Sequence, residues 1–387
     1  MYYLKLFDKN LLSFGMDNKL GLEITDIKVL EENRKVFPIN LQEEINSENL
    51  ISFIKSRIIP KNRAYVHQIL ESMNLSLNDT KGIIDISKGL SLTDSYWIVQ
   101  DENLKFSDYN LFDNDFSEVL SLIAFTGYSS KIKDLITSPE FTTNGVLPKA
   151  WRRIDGEVYL YKGSTESWNF SNTGFEPYSE YYSSQLLDAM GIDHVKYDLE
   201  KWKNMLCTTC KLFTSKEKSY IQAGDIIKTG GINAVYEYVK NKGFENKFAD
   251  MILFDSLTSN VDRHFGNFGF IRNNATGEIE DFAPIFDNGE GLLSKATPDV
   301  FEDMEKFKEY MNSDSTMISY YGTSYKNLVE TFCNKSHIEI LRKLLTFKFS
   351  KHPLYNVSDN RLKCLSFMLQ ERARMYIDII KKNEKHN

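Results

Sequence analysis

The sequence predicts an α+β protein on three observations. Short stretches of alternating apolar and polar residues, bounded by turn formers, recur up to residue 213. Helical spacing of apolar residues takes over from residue 216. The 387 residues are 42% hydrophobic and include 26 Phe and 21 Tyr, a composition of packed cores rather than disorder. That length exceeds one ordinary core, so two or three domains are expected.

The elements follow in chain order. Residues 1–35 alternate in Tyr2-Tyr3-Leu4-Lys5-Leu6-Phe7 and again from Leu20 to Val29, with Asp17-Asn18-Lys19 as the intervening turn. Within 47–75, Leu50, Ile51, Ile54 and Ile58 share one helix face. Pro60 interrupts before a second helix carrying Val66, Ile69, Leu70 and Met73. Polar loops are expected to about residue 115, and a boundary near 125 closes an N-terminal α+β subdomain, 1–125.

Residues 126–213 form the second expected domain. Asp155-Gly156 separates the strand-like Trp151 to Ile154 from Glu157 to Lys162, a type I′ hairpin signal because both central residues tolerate positive φ. Period two places Val158, Leu160 and Lys162 on one face: an apolar roof with one ammonium at its end. Residues 179–190 predict a helix ended by Gly191, with Glu180 in its first turn. Further strands are expected at His194 to Tyr197 and Met205 to Phe213. The second ends in Lys211-Leu212-Phe213, where a connector between lobes belongs. The third domain, 214–387, is helical, with helices over 246–259, 324–348 and 360–382.

The chemistry concentrates in residues 260–269, Asn-Val-Asp-Arg-His-Phe-Gly-Asn-Phe-Gly. Asp262 precedes Asn267 by five residues, the spacing that sets a proton acceptor beside a magnesium ligand in kinase catalytic loops. After the apolar run Phe282 to Phe286 comes Asp287-Asn288-Gly289, a second carboxylate placed to meet a metal. An isolated Asp-x-x-x-x-Asn is common, and Asp-Asn-Gly alone is most often a turn. The weight lies in the order of parts: hairpin lysine, helix glutamate, Asp-to-Asn loop, apolar run, Asp-x-Gly. Asp262 then accepts a hydroxyl proton, Asn267 and Asp287 hold Mg²⁺, Lys162 holds phosphate oxygens of ATP, and Glu180 holds Lys162. Arg263 and His264 are expected to brace the loop, His264 bordering the nucleotide. A mixed small lobe followed by a helical large lobe is a two-lobed, protein-kinase-like arrangement.

These same residues resemble a known family. Asn260-x-Asp262-x-His264-x-x-Asn267 before an aromatic strand, then Pro284-Ile285-Phe286-Asp287, is similar to the HipA-like serine/threonine kinases, a family of bacterial toxin kinases and smaller relatives. The resemblance covers residues 138–290 and extends more faintly into the C-terminal helices. It implies Asp262 as catalytic base, Asn267 and Asp287 as metal ligands, and Lys162 as an ATP ligand, with Lys211 and Phe213 along the connector also bordering ATP. HipA proper carries a serine in a glycine-rich phosphate loop, and autophosphorylation there ejects the loop. Here the corresponding stretch is Thr142-Thr143-Asn144-Gly145-Val146-Leu147-Pro148-Lys149, with a single glycine. Phosphate cradling carries over to Thr143, Asn144 and Gly145, and autophosphorylation to Thr142 or Thr143. The resemblance further implies a protein substrate and, for a toxin, a small DNA-binding antitoxin as partner.

Several function classes are disfavoured. A net charge of −7 gives no global attraction to nucleic acid or anionic membranes. Charges interrupt the first residues where a signal peptide needs an apolar run, and no stretch approaches a membrane span, so a cytoplasmic protein is expected. Cys207-x-x-Cys210 lacks a second pair, so buried thiols are expected rather than zinc. Two other readings stay open: a lipid or small-molecule kinase, and a nucleotide-binding pseudokinase that regulates without turnover.

Overall fold

The computed structural model describes residues 1–18, 21–132, 137–165, 174–313 and 318–383. Lys19 and Leu20, part of the expected first turn and second strand, lie outside the described residues. The fold is mixed α+β, as expected, and the chain divides into two compact units.

The first unit comprises Met1–Gly163, Lys211–Ile221 and Phe270–Asp281. An antiparallel sheet orders its strands Glu23–Val29, Lys9–Asp17, Tyr2–Leu6, Tyr96–Val99. Alternation along these strands sends Leu4, Leu12 and Phe14 into a core closed by Leu50 and Ile54 of the helix Ser47–Ser56. A second cluster joins the helices Val66–Glu71 and Glu118–Thr126 through Ile69, Leu70, Leu120 and Ile123. The region expected as polar loops to residue 115 holds the helix Thr80–Ser87 and the fully buried strand Tyr96–Val99. Its four residues, Tyr-Trp-Ile-Val, are too few to show a period, which is why alternation did not reveal them.

In the same unit, Lys149–Ile154 and Glu157–Lys162 form the expected hairpin, with Lys149 opposite Lys162. Asp155 and Gly156 take φ of 50° and 82°, the left-handed pair a type I′ turn requires. Lys218–Gln222, Gly269–Asn273 and Ile279–Phe282 make a small sheet with Gly269–Asn273 in the middle.

The second unit comprises Ser164–Cys210, Gln222–Gly269 and Phe282–Asn387. The helix Glu176–Met190 ends on Gly191 at φ 76°, the left-handed cap its glycine predicts. Tyr197–Trp202 and Met205–Lys211 pair antiparallel. The helix Glu245–Thr258 is apolar on all sides: Phe248, Met251, Ile252, Leu253, Phe254 and Leu257 are fully buried, as suits a central helix. Around it lie Tyr325–Phe332, Ser336–Leu344 and the long helix Asp359–Asn383. The expected single helix over 324–348 is two. Cys333 turns extended at ψ 150°, and Asn334 Oδ1 accepts from the Ser336 N–H, starting a new helix. Among the described residues, no helix is long and apolar enough to cross a membrane.

Candidate active site

The Asp262 loop grows out of the central helix. Ser259 takes a left-handed φ of 53° and ends it, and the Asn260 N–H bonds back to Asp255 O at 3.1 Å. From there each turn is fixed by short-range bonds. Asn260 Oδ1 accepts from Asp262 N at 3.2 Å, and the His264 N–H donates to Asp262 O at 2.8 Å. The Asn267 N–H donates to His264 O at 2.9 Å, and Asn267 Nδ2 donates to Asp262 O at 2.9 Å. That last bond fixes the amide flip and turns Asn267 Oδ1 the other way, as a cation ligand requires. His264 Nδ1 accepts from Gly266 N at 3.0 Å, so its role in the structure is to order the loop.

The Asp287 segment is held by a different set of partners. A bridge between His194 and Ile285, with Val195 N–H to Ile285 O at 2.9 Å, lays residues 283–287 beside residues 193–197. The Asp287 N–H donates to Tyr197 Oη at 3.2 Å, and the Asn288 N–H donates to Glu180 Oε2 at 2.9 Å. Asp287 itself sits at φ 56°, a left-handed position that aspartate tolerates better than most residues. Glu180 is fully buried and grips the residue after Asp287. Burial, then the charges of Glu180, Cys210 and Asp287, push the Tyr197 phenol far up, keeping it neutral.

One side chain joins the two segments. Arg263 Nε and Nη2 bond to Asp255 at 2.9 and 3.0 Å, Nη1 donates to the Asn267 and Phe286 carbonyls, and Nη2 reaches Asn288 Oδ1 at 2.6 Å. All five N–H groups of the fork are thus engaged. The guanidinium is 1% exposed. Burial works against its charge, but the Asp255 carboxylate outweighs that and raises its pKa. Tyr321 and Tyr325 complete the brace, donating to Arg263 O at 2.9 Å and Asn260 O at 2.7 Å. The second unit therefore brings Glu180, Asp262, His264, Asn267 and Asp287 into one bonded assembly.

The remaining predicted residues belong to the first unit. Lys162 is buried at the end of its strand. The Thr142 hydroxyl is buried and donates to Leu90 O at 2.9 Å. The Thr143 hydroxyl donates to Pro139 O at 2.8 Å and accepts from Trp151 Nε1 at 2.9 Å. Asn144 is exposed, its carbonyl accepting from Lys149 Nζ at 3.1 Å, and Gly145 takes φ 98°. Behind this loop, buried Arg63 bonds both the backbone and the carboxylate of Glu140, and Glu140 Oε1 accepts from Trp151 N at 2.8 Å. Exposed Lys211 pairs with Glu157 at 2.9 Å, and Phe213 packs edge-on to Tyr220. All four cysteines are free thiols.

Tyr197, Asp255, Tyr321 and Tyr325 escaped the sequence reading. Asp255 left a signal, being a carboxylate that directly follows the apolar run Met251 to Phe254 of a helix. The tyrosines left none, because their hydroxyls act across long sequence separations.

No protein-family model matches the chain. Over 266 residues, 58% of this chain and 79% of the relative, it is 26% identical to the serine/threonine-protein kinase CtkA of Helicobacter pylori strain J99. The crystal structure of that proinflammatory kinase superposes with a TM-score of 0.52 at 21% identity, over 63% of this chain and 94% of the other. HipA of Shewanella oneidensis MR-1, solved with HipB and operator DNA, superposes over 100% of this chain and 99% of its own, with a TM-score of 0.56 at 12% identity. The sequence likeness to CtkA and the shared fold with CtkA and HipA support a place among the HipA-like kinases. Its likeness to a serine/threonine-protein kinase in both sequence and structure supports kinase activity.

Proposed function

We propose that this HipA-like kinase transfers the γ-phosphoryl group of ATP to a serine or threonine hydroxyl of a protein, in a two-lobed kinase-like fold and with Mg²⁺. The observation that carries the reading is the buried guanidinium of Arg263, bonded to the backbone of both Asn267 and Phe286. A carboxylate loop and a second acidic segment tied through one rigid fork are what phosphoryl transfer demands, since catalysis there is mostly positioning.

In this reading Asp262 accepts the proton of the attacking hydroxyl as its oxygen bonds the γ-phosphorus and ADP leaves. Asn267 and Asp287 fit a hard cation: one oriented amide oxygen and one carboxylate, with water and phosphate oxygens left to complete the shell. Bound Mg²⁺ would supply charge neutralisation to the phosphates. Lys162 binds phosphate oxygens, and Thr143, Asn144 and Gly145 line them. Residues 1–125 serve as an N-terminal subdomain, 126–213 as the ATP-binding lobe and 214–387 as the catalytic lobe. The full-length likeness to a HipA solved with HipB and operator DNA supports a toxin role with a small DNA-binding antitoxin as partner.

The test is transfer of labelled γ-phosphate with Mg²⁺, wild type against Asp262→Asn, followed by phosphoamino-acid analysis. Label on serine or threonine that disappears in Asp262→Asn and with EDTA is the expected result. Label on lipid or small molecules alone would replace the protein-kinase reading. ATP binding with no turnover would replace it with a regulatory nucleotide-binding module.

A further inference from the structure

Away from the Asp262 assembly, the second unit buries a cation that no carboxylate answers among the described residues. Arg361, in the first turn of the helix Asp359–Asn383, is 5% exposed. Its guanidinium is sandwiched between the rings of Phe175 and Phe301, 4.1 Å from each centroid, so only its in-plane edge can reach a partner. On that edge Nη2 donates to Leu293 O at 2.8 Å. Nη1 is buried and has no hydrogen-bond partner among the described residues, and the same holds for Ser294 Oγ. Burial pulls the Arg361 pKa down to about 10, which leaves it cationic at neutral pH. A buried charge without a counter-charge is costly, and arginine will not escape by losing its proton.

The two residues that carry the orphaned groups line one cavity, together with Phe175, Tyr178, Ser179 and Tyr182. Its volume, ≈ 10 Å³, admits a single oxygen atom. A water there would satisfy the hydrogen bonds but not the charge. We propose that this cavity is an oxyanion site, in which one oxygen of a phosphoryl group accepts from Arg361 Nη1 and Ser294 Oγ while the rest of the group sits at its mouth. The backbone it would secure is strained: Leu292 and Leu293 stand consecutively at φ 49° and 53°, left-handed positions that branched side chains rarely adopt. Ser179, on the cavity wall, has its hydroxyl 2.8 Å from both the Asn288 and Gly291 carbonyls. The site thus stands directly behind the segment that follows Asp287, on different residues.

The experiment is thermal unfolding of the full chain in sodium phosphate against sodium chloride at matched ionic strength. Wild type should show a rise that follows ln(1 + c/Kd), with c the phosphate concentration, about 3 °C at a tenfold excess over Kd. Arg361→Gln should abolish it. Ser294→Ala, which keeps the buried charge and the fold, should weaken phosphate at least threefold (an order-of-magnitude figure for one lost hydrogen bond). Lys162→Met should leave the response intact, since its residue belongs to the proposed nucleotide site. A free anion and a phosphorylated side chain of this chain present the same oxygens. A response that emerges only after phosphatase treatment assigns the site to the covalent group. No rise above chloride before or after that treatment, an unchanged affinity in Ser294→Ala, or a response lost in Lys162→Met would overturn the proposal.

Discussion

Replacing Arg263 by lysine keeps the charge and removes the fork. The guanidinium serves four acceptor groups: the Asp255 carboxylate, the Asn267 and Phe286 carbonyls and Asn288 Oδ1. An ammonium at the end of a shorter stem can keep Asp255 and one neighbour, leaving two acceptors without a charged donor in a site 1% exposed. At roughly 1.5–3 kcal/mol for each hydrogen bond to a charged group, the loss is about 3–6 kcal/mol, spread over stability and loop position. Urea unfolding should report a lower midpoint for the second unit. Phosphoryl transfer should fall by about a hundredfold or more, because displacing the Asp262 loop by an ångström is enough for that. The companion variant Asp255→Asn separates the two effects: it removes the counter-charge and one accepting oxygen but leaves the Arg263 bonds to Asn267, Phe286 and Asn288 available, so stability should fall more than activity. Arg263→Lys with transfer within threefold of wild type would show that the fork does not organise the site, and the positioning argument would fail.

Three further predictions follow from other contacts. Tyr197→Phe removes the oxygen that accepts the Asp287 N–H, at a cost of about 1–2 kcal/mol, and should lower kcat about tenfold while raising the Mg²⁺ requirement; unchanged metal dependence would assign Tyr197 to packing alone. Burial raises the Asp250 pKa to about 6, with Lys247 opposing, so the folded state holds a proton that the unfolded chain has released between pH 4 and 6. Stability from this group is therefore present below pH 4 and lost as pH climbs to 6, and after discounting for its partial exposure Asp250→Asn should gain roughly 1–2 kcal/mol over wild type at pH 7 but nothing near pH 4 in denaturant melts. Mass mapping after incubation with ATP should find phosphate on Thr143 before Thr142, whose buried hydroxyl is tied to Leu90; modification of Thr143 would also break its bond from Trp151 Nε1 and shift tryptophan fluorescence.

What the sequence made legible here was local. The hairpin at Asp155-Gly156 and the helix cap at Gly191 are fixed by backbone conformations that few residues allow, so two letters sufficed for the first and one for the second. The break after Cys333 was missed because Leu328 and Phe332 before it, and Leu341 and Leu344 after it, are each helically spaced, and the half-turn offset between the two pairs is lost when each window is read by itself. Periodicity reports which face is buried, not whether the backbone is continuous.

The candidate site divides along the same line. Asp262, Asn267 and Asp287 could be named because their chemistry is written in residue type and spacing. Glu180 was named for its place in the helix, and the structure adds what spacing could not: its carboxylate takes the backbone N–H of Asn288, 108 positions away. The scaffold of the site is made of such long-range bonds. Tyr325 reaches Asn260 across 65 residues, Tyr197 reaches Asp287 across 90, and Arg263 reaches Asn288 across 25. A tyrosine that closes a catalytic loop and one that fills a core look identical in a sequence, since both are buried rings and only the partner of the hydroxyl separates them. The groups proposed to touch substrate are therefore constrained in type and can be named from sequence, while those that hold them are constrained in position and must be seen. Arg263 belongs to the second class, adjacent in sequence to the proposed base and bonded in space to the segment beyond Asp287, and substitution there tests the scaffold.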